Sequence, residues 1–192
     1  MTYPQRWQEL HGTTPSPLVR RWLAAVEVLG APLARLGVHP HLLTGAALVV
    51  AAAVPVVPAP GAAALVLLSA LLDALDGCVA ALQDRASRWG AVLDSTADRV
   101  ADGLFVLALV LAGGPAWLGV LAASAAQLLE YARARAGVVG TVTLAERPAR
   151  VLVPCVALAL GLPTAGLWLL AVVGAVGLLQ LAPALRRQLA SE

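Results

Sequence analysis

Long apolar stretches separated by short turn-forming segments dominate the chain. Six stretches are predominantly apolar, and they cover residues 41–57, 61–81, 91–112, 115–132, 149–162 and 163–182. Most of them approach the ~20 residues that a helix needs to cross the hydrocarbon core of a bilayer. The pattern therefore predicts an all-α, polytopic membrane protein with six transmembrane helices. The overall composition agrees, because hydrophobic residues make up 60% of the chain and its mean hydropathy is +0.83.

Apolar residues also recur with a helical period before the first of these stretches. They stand three and four positions apart, at Leu18, Trp22, Ala25, Leu29, Leu33 and Leu36. This spacing predicts an amphipathic helix, broken or bent near Pro32. A helix lying in the cytoplasmic membrane interface and a helix packed against the bundle fit the period equally well. We predict one domain over residues 1–192, with an interfacial or cytoplasmic segment at 1–38 and the six-helix bundle at 39–185.

The positions of the arginines predict how the chain is oriented in the membrane. All thirteen basic residues are arginines, and none lies in the turns predicted around 58–61, 113–115 and 161–163. They precede the first span, follow the last, or lie on the opposite side from those turns. The positive-inside rule therefore predicts cytoplasmic termini and a cytoplasmic active site in a plasma-membrane protein. Topology and anionic lipid explain the net charge of +2, so no nucleic-acid partner is expected.

Four aspartates interrupt the second and third apolar stretches. Asp73 and Asp76 are three residues apart, and Asp94 and Asp98 are four apart. Each spacing places two carboxylates on one helix face, and the short connection makes the two helices antiparallel neighbours. A carboxylate within a membrane is costly unless it is paired or ligated. Two divalent cations would balance the four carboxylate charges, and hard oxygen ligands favour Mg²⁺, Mn²⁺ or Ca²⁺ over zinc. The cofactor we expect is two Mg²⁺ ions, with Mn²⁺ as the alternative.

The aspartates also have an interpretation without metal. They would then be helix-end carboxylates, exposed to water or paired with Arg85, Arg88 and Arg99. Gly77 and Gly90 favour a binding site, because glycine leaves the backbone open to a bulky ligand, although it is also common at helix contacts in membranes. A cation carrier or a non-catalytic membrane protein remains the alternative class of function.

The spacing of these residues resembles a known signature. Asp73, Asp76, Gly77, Ala80, Gly90, Asp94 and Asp98 are similar to D-x2-D-G-x2-A-R-x8-G-x3-D-x3-D of the CDP-alcohol phosphotransferase (CDP-alcohol phosphatidyltransferase) family. The arginine of the signature is replaced by Ala81. Further segments look like the family's first membrane helix or like the actinobacterial phosphatidylinositol phosphate synthases, and they cover residues 40–44, 87–99, 131–136 and 146–150.

The resemblance implies an activity and a set of site residues. The phosphatidyl group of CDP-diacylglycerol would pass to an alcohol phosphate in phospholipid biosynthesis, with release of CMP. Inositol phosphate is the first candidate, and glycerol 3-phosphate or another alcohol phosphate is the alternative. The four aspartates would hold two metal ions, and Asp98 would also accept the proton. The family further implies a homodimer.

The resemblance assigns two substrate sites as well. The CDP-diacylglycerol site would be lined by His41, Leu42, Leu43, Thr44, Gly77, Ala81 and Ser87. The phosphate of the acceptor would be bound by Arg133, Arg150 and Arg186. Membrane orientation alone is the alternative explanation for these arginines.

Overall fold

The computed structural model describes residues 2–11, 14–136 and 142–189, and its regular structure there is entirely helical. The predicted all-α class is therefore confirmed. The α-helices of the described residues are α1 (Tyr3–His11), α2 (Pro17–Arg35), α3 (Pro40–Ala53), α4 (Ala59–Leu82), α5 (Arg88–Leu111), α6 (Ala116–Ala136), α7 (Arg147–Ala159) and α8 (Pro163–Leu189). A short 3-10 turn, Val54–Val56, follows α3.

Length and hydropathy set two of these helices apart from the rest. Within the described ranges, α4 and α8 are long and apolar enough to cross a membrane, with mean hydropathies of 2.0 and 2.1 over their most apolar windows. Helix α3 is apolar but short, and α7 has only 13 residues. Helix α5 is long, but Asp94, Asp98, Arg99 and Asp102 lower its hydropathy. The six predicted spans correspond in position to α3 to α8, and their crossing of the bilayer stays a prediction.

The helix ends follow the proline and glycine positions. Helix α5 ends just before Gly113, whose φ is 110°, and α7 ends just before Gly161, whose φ is 67°. These are left-handed conformations that glycine adopts without a Cβ clash, so each glycine lets the chain reverse there. The predicted break at Pro32 is wrong, because α2 continues to Arg35. Pro32 lacks the N–H that would bond the carbonyl four residues earlier, and the helix ends within one turn after it.

The chain forms two compact units, Met1–Val50 with Leu68–Asp98, and Ala51–Leu67 with Arg99–Glu192. In the first unit, α1 packs on α2, and a buried cluster includes Tyr3, Val26 and Cys78. The second unit is built around α8, which packs against α6 and α7. Glycines permit close helix contact in both units: a Cβ on Gly30 would lie 2.6 Å from the Cys78 sulfur, and one on Gly174 would lie 2.7 Å from the Ala125 Cβ.

Candidate active site

A tight turn between α4 and α5 brings Asp94 of α5 next to the aspartate pair of α4. The N–H of Arg85 donates to the carbonyl of Ala80, and the N–H of Asp84 donates to that of Ala81. This is the hydrogen-bond pattern of a Schellman motif, and Asp84 takes the left-handed position with a φ of 55°. Arg6 of α1 holds the turn through an ion pair of 2.8 Å with the Asp84 carboxylate. The chain therefore reverses within a few residues, and the carboxylate-bearing ends of α4 and α5 lie side by side.

Three of the four predicted metal ligands converge at this point. Asp73, Asp76 and Asp94 each offer a carboxylate oxygen, and these oxygens lie within 4.8 Å of one another. Asp76 is buried, whereas Asp73 and Asp94 are half-buried. Among the described residues this group has three members, and Asp98 lies one helical turn further along α5, outside it. Clustered carboxylates repel one another strongly, and hard oxygen donors suit Mg²⁺ or Mn²⁺, so the residues present fit such an ion.

Thr44 of α3 positions one carboxylate of the cluster. Its buried hydroxyl donates a hydrogen bond to Oδ2 of Asp76 and also lies 3.3 Å from the carbonyl oxygen of Pro40. Threonine on a helix commonly contacts the carbonyl four residues earlier, which limits the rotation of its side chain. The hydroxyl therefore holds the Asp76 carboxylate in one orientation.

A cavity of about 340 Å³ opens beside the aspartates. Five of the residues predicted for the donor site lie on its wall: His41, Thr44, Gly77, Ala81 and Ser87. The other two do not line it, because Leu42 is 68% exposed and Leu43 is buried in the apolar core of the unit. Arg85 also lines the cavity, four residues after the alanine that replaces the signature arginine.

Glycine keeps two parts of the cavity wall open. A Cβ on Gly90 would lie 3.2 Å from the Ser87 hydroxyl oxygen and 3.5 Å from the His41 ring. A Cβ on Gly77 would lie 3.7 Å from the Tyr3 hydroxyl oxygen. Gly77 directly follows Asp76, and Gly90 lies one helical turn before Asp94, so the backbone near these carboxylates stays accessible to a ligand.

The N-terminal helix supplies two aromatic side chains that the sequence interpretation did not assign to the site. Tyr3 and Trp7, four residues apart on α1, both line the cavity. Burial, followed by the charges of Cys78 and of the three clustered aspartates, raises the pKa of Tyr3 above its ordinary value. Tyr3 therefore stays protonated at neutral pH. Their four-residue spacing places both side chains on one face of a helix, and this could be seen in the sequence. The spacing does not identify what that face packs against.

The second unit contains a separate cluster of paired charges. Glu130 of α6 contacts Arg99, Arg133 and Arg150, through distances of 3.4, 3.4 and 2.9 Å. All three contacts involve the same carboxylate oxygen, Oε1. Two of the three predicted acceptor-binding arginines are thus joined by an acidic residue that the sequence interpretation overlooked. The third, Arg186, is exposed in the last turns of α8.

Two further carboxylates complete this arginine cluster. The Nε of Arg150 lies 2.9 Å from Oδ2 of Asp102, and the two side chains are only 7% and 9% exposed. Arg133 donates to Glu146, which also accepts hydrogen bonds from the backbone N–H and the hydroxyl of Thr143. Burial raises the pKa of Glu146, but the bonds from Arg133 and Thr143 outweigh it, so the pKa is lowered overall. The carboxylate therefore stays charged at neutral pH.

Known proteins resemble the chain in sequence. A profile of the family described as CDP-alcohol phosphatidyltransferase matches residues 37–181. Phosphatidylinositol phosphate synthase of Corynebacterium glutamicum is 34% identical over 189 residues, covering 84% of this chain and 81% of that protein. Archaetidylinositol phosphate synthase of Methanothermobacter thermautotrophicus is 38% identical over 95 residues. This second match covers 47% of this chain and spans about half, 49%, of that relative.

Two solved structures share the fold. Both are of phosphatidylinositol phosphate synthase from Mycobacterium tuberculosis, one in complex with manganese and citrate and the other with CDP-DAG bound. Each superposes with a TM-score of 0.68 at 25% identity. They cover 83% and 82% of this chain, and 88% and 91% of the solved chains.

Proposed function

Because this chain belongs to the CDP-alcohol phosphatidyltransferase family, we propose that it transfers the phosphatidyl group of CDP-diacylglycerol to an alcohol phosphate and releases CMP. The observation that carries the proposal is the convergence of Asp73, Asp76 and Asp94 beside a cavity. These are signature positions from two different helices, and they form a group of hard oxygen ligands. The solved relative with CDP-DAG bound supports the choice of donor.

We assign the metal site to Asp73, Asp76, Asp94 and Asp98. The three converged carboxylates form the core of the site, and Asp98 extends it by one turn of α5. Manganese in a solved relative supports a divalent ion, and Mg²⁺ is our choice, with two ions balancing four carboxylate charges. Bound metal would neutralise the charge that develops on the pyrophosphate and on the departing CMP.

The residues around the cavity would then orient the donor. His41, Ser87 and Arg85 give its wall hydrogen-bonding and positive groups, and Gly77 and Gly90 allow close approach of the nucleotide to the backbone. The acceptor hydroxyl attacks the β-phosphorus of CDP-diacylglycerol, a P–O bond to the acceptor forms, and the bond to CMP breaks. We propose that Asp98 takes the proton of the attacking hydroxyl, as a general base.

The second substrate is the alcohol phosphate that receives the phosphatidyl group. We propose inositol phosphate, because the relatives that match in sequence and in fold are inositol-phosphate-type synthases. Arg133 and Arg150 would bind its phosphate, since guanidinium groups bind phosphate oxygens bidentately. Arg186 is the remaining candidate from sequence. Glycerol 3-phosphate is the second candidate acceptor.

We also propose a multi-pass plasma-membrane protein with six spans and cytoplasmic termini. The apolar helices α4 and α8 and the arginine distribution support this topology. It would keep the acyl chains of the donor in lipid while the nucleotide meets a soluble acceptor. The homodimer is proposed from the family resemblance alone.

The acceptor assignment can be tested with purified protein in nanodiscs that contain CDP-diacylglycerol and Mg²⁺. Release of CMP is measured with inositol phosphate, glycerol 3-phosphate and free myo-inositol as acceptors. The proposal expects inositol phosphate to give the highest kcat/KM. Equal turnover of free myo-inositol would argue against a phosphate-binding site, and preference for glycerol 3-phosphate would reassign the acceptor.

A further inference from the structure

Glu130 occupies a position where an anion is held by three guanidinium groups. Its Oε1 lies 2.9 Å from Nη1 of Arg150 and 3.4 Å from Nη1 of both Arg99 and Arg133. Three positive groups around one oxygen form the type of environment that a phosphate oxygen prefers. The cluster therefore has the geometry of an anion site whose anion is part of the protein.

The formal charges show why an outside anion meets resistance there. Among the described ion pairs, three arginines are matched by three carboxylates: Arg99, Arg133, Arg150, Asp102, Glu130 and Glu146. A phosphate that enters with all three carboxylates in place would be repelled by them at close range. The phosphate is attracted fully by the guanidinium groups only if one carboxylate first moves away from them.

The three carboxylates are not equally easy to displace. Asp102 is 9% exposed and pairs with Arg150 in the interior. Glu146 is 35% exposed, but it accepts hydrogen bonds from the backbone N–H and the hydroxyl of Thr143, which hold it independently of the arginines. Glu130 is 29% exposed, and its described contacts are all with the guanidinium groups of Arg99, Arg133 and Arg150. It is therefore the carboxylate whose described contacts an incoming phosphate would itself replace, since the phosphate would bind the same guanidinium groups.

We propose that Glu130 is the resident anion of the acceptor-phosphate site, and that the incoming phosphate replaces its carboxylate among Arg99, Arg133 and Arg150. This inference rests on the proposed alcohol-phosphate acceptor. Glu130 is then a specificity-determining residue. In the absence of substrate, its carboxylate neutralises and orients the arginines. It also lowers the affinity of the site for anions that bind the arginines more weakly than the carboxylate does.

The direct test is binding of inorganic phosphate, which requires no turnover. Thermal unfolding of the wild type and of Glu130→Gln is followed in phosphatidylcholine nanodiscs over a phosphate titration. The amide keeps the size of the side chain but removes the competing charge, so we expect the Kd for phosphate to fall about tenfold in the variant, as one charge-assisted contact allows. Glu9→Gln is the matched control, because it removes the same charge from exposed α1 and should leave the Kd unchanged.

Steady-state kinetics provide the second test. In Glu130→Gln the KM for inositol phosphate should fall by a similar factor, whereas the KM for CDP-diacylglycerol should stay the same. If neither protein turns over any alcohol phosphate, but phosphate still binds more tightly to the variant, the proposed acceptor is wrong and the anion site stands. If phosphate binds equally well or more weakly without Glu130, the inference is overturned.

A second variant and a change of lipid composition complete the test. Should Glu130→Gln fail to fold, Glu130→Asp keeps the charge on a shorter arm, and a smaller gain in phosphate affinity is expected; no gain contradicts the inference. Replacing part of the phosphatidylcholine with phosphatidylglycerol distinguishes a lipid headgroup from a soluble phosphate. If only the anionic lipid stabilises the variant more than the wild type, the site belongs to lipid and the inference fails.

Discussion

The hydroxyl of Thr44 donates a hydrogen bond to the carboxylate of Asp76, joining α3 to α4 inside the first unit. Both side chains are buried. The bond links the beginning of the first apolar helix to the acidic cluster, although the two residues are 32 positions apart. A neutral residue outside the aspartate signature therefore helps to position a carboxylate of the proposed metal site.

Thr44→Val should weaken metal binding without unfolding the protein. Valine matches the shape of threonine but leaves the Asp76 carboxylate without its donor, so we expect the apparent affinity for Mg²⁺ to fall about tenfold, the cost of one charged hydrogen bond. Thr44→Ser keeps the hydroxyl and should remain near the wild type. Metal titration of CMP release and isothermal titration with Mn²⁺ both measure the effect. Equal affinities in the three proteins would show that the bond is only structural.

Trp7→Ala should weaken binding of the donor, CDP-diacylglycerol, and leave binding of the acceptor unchanged. Trp7 lines the cavity that contains the aspartates, and an aromatic wall can stack on a nucleobase for about 1–3 kcal/mol. We therefore expect the KM for CDP-diacylglycerol to rise about tenfold and the KM for the acceptor to stay constant. Trp22→Ala on α2 is the matched control, because this side chain is exposed. A rise in activity in Trp7→Ala would instead mean that α1 blocks the cavity.

Arg150→Ala should lower the stability of the protein, in addition to any effect on the KM for the acceptor. Arg150 and Asp102 form a buried pair, and removing one partner of such a pair costs about 3–5 kcal/mol. Thermal unfolding in detergent should show the loss, and Arg150→Ala combined with Asp102→Ala should recover part of it. Arg186→Ala, at an exposed position, should unfold like the wild type. Additive losses in the double variant would contradict the pairing.

Single cysteines should report the membrane topology. Cysteines placed at 58–60 and 113–115 are expected to react with an impermeant reagent added outside intact cells, because these turns lack arginine. Cysteines at 84–88 and 142–146 should react only after the cells are opened. Cys78 and Cys155 are buried, so the unmodified protein gives the background. The opposite labelling pattern would refute the cytoplasmic active site.

The sequence predicted the acidic cluster well because its geometry is local. Spacings of three and four place two carboxylates on one face of each helix, and a turn as short as the one around Asp84 leaves an antiparallel neighbour as the simplest arrangement. Asp98 lies one helical turn beyond the group of three, and its part in the site stays a prediction. Leu42 and Leu43 do not line the described cavity, because matching a motif does not determine which way each side chain of a helix points, and their part in the donor site stays a prediction.

Contacts between residues that are far apart in the chain could not be predicted from the sequence. Trp7 reaches the cavity only because α1 packs on α2, and nothing in its local pattern specifies that packing. The arginines of the second unit were noticed, but their pairing with Asp102 and Glu130 depends on how α5, α6 and α7 come together. An arginine that orients a helix in the membrane and one that pairs with a buried acid look alike in sequence.

The central claim is that the aspartate cluster catalyses metal-dependent release of CMP from CDP-diacylglycerol. The most direct measurement compares the wild type with Asp94→Asn and Asp98→Asn in nanodiscs that contain the donor and inositol phosphate, with Mg²⁺ present or removed by chelation. We predict that chelation abolishes release, and that each variant loses at least about a hundredfold, since several kcal/mol of charge stabilisation depend on these carboxylates. Near-normal turnover in either variant, or release that persists without divalent metal, would contradict the account.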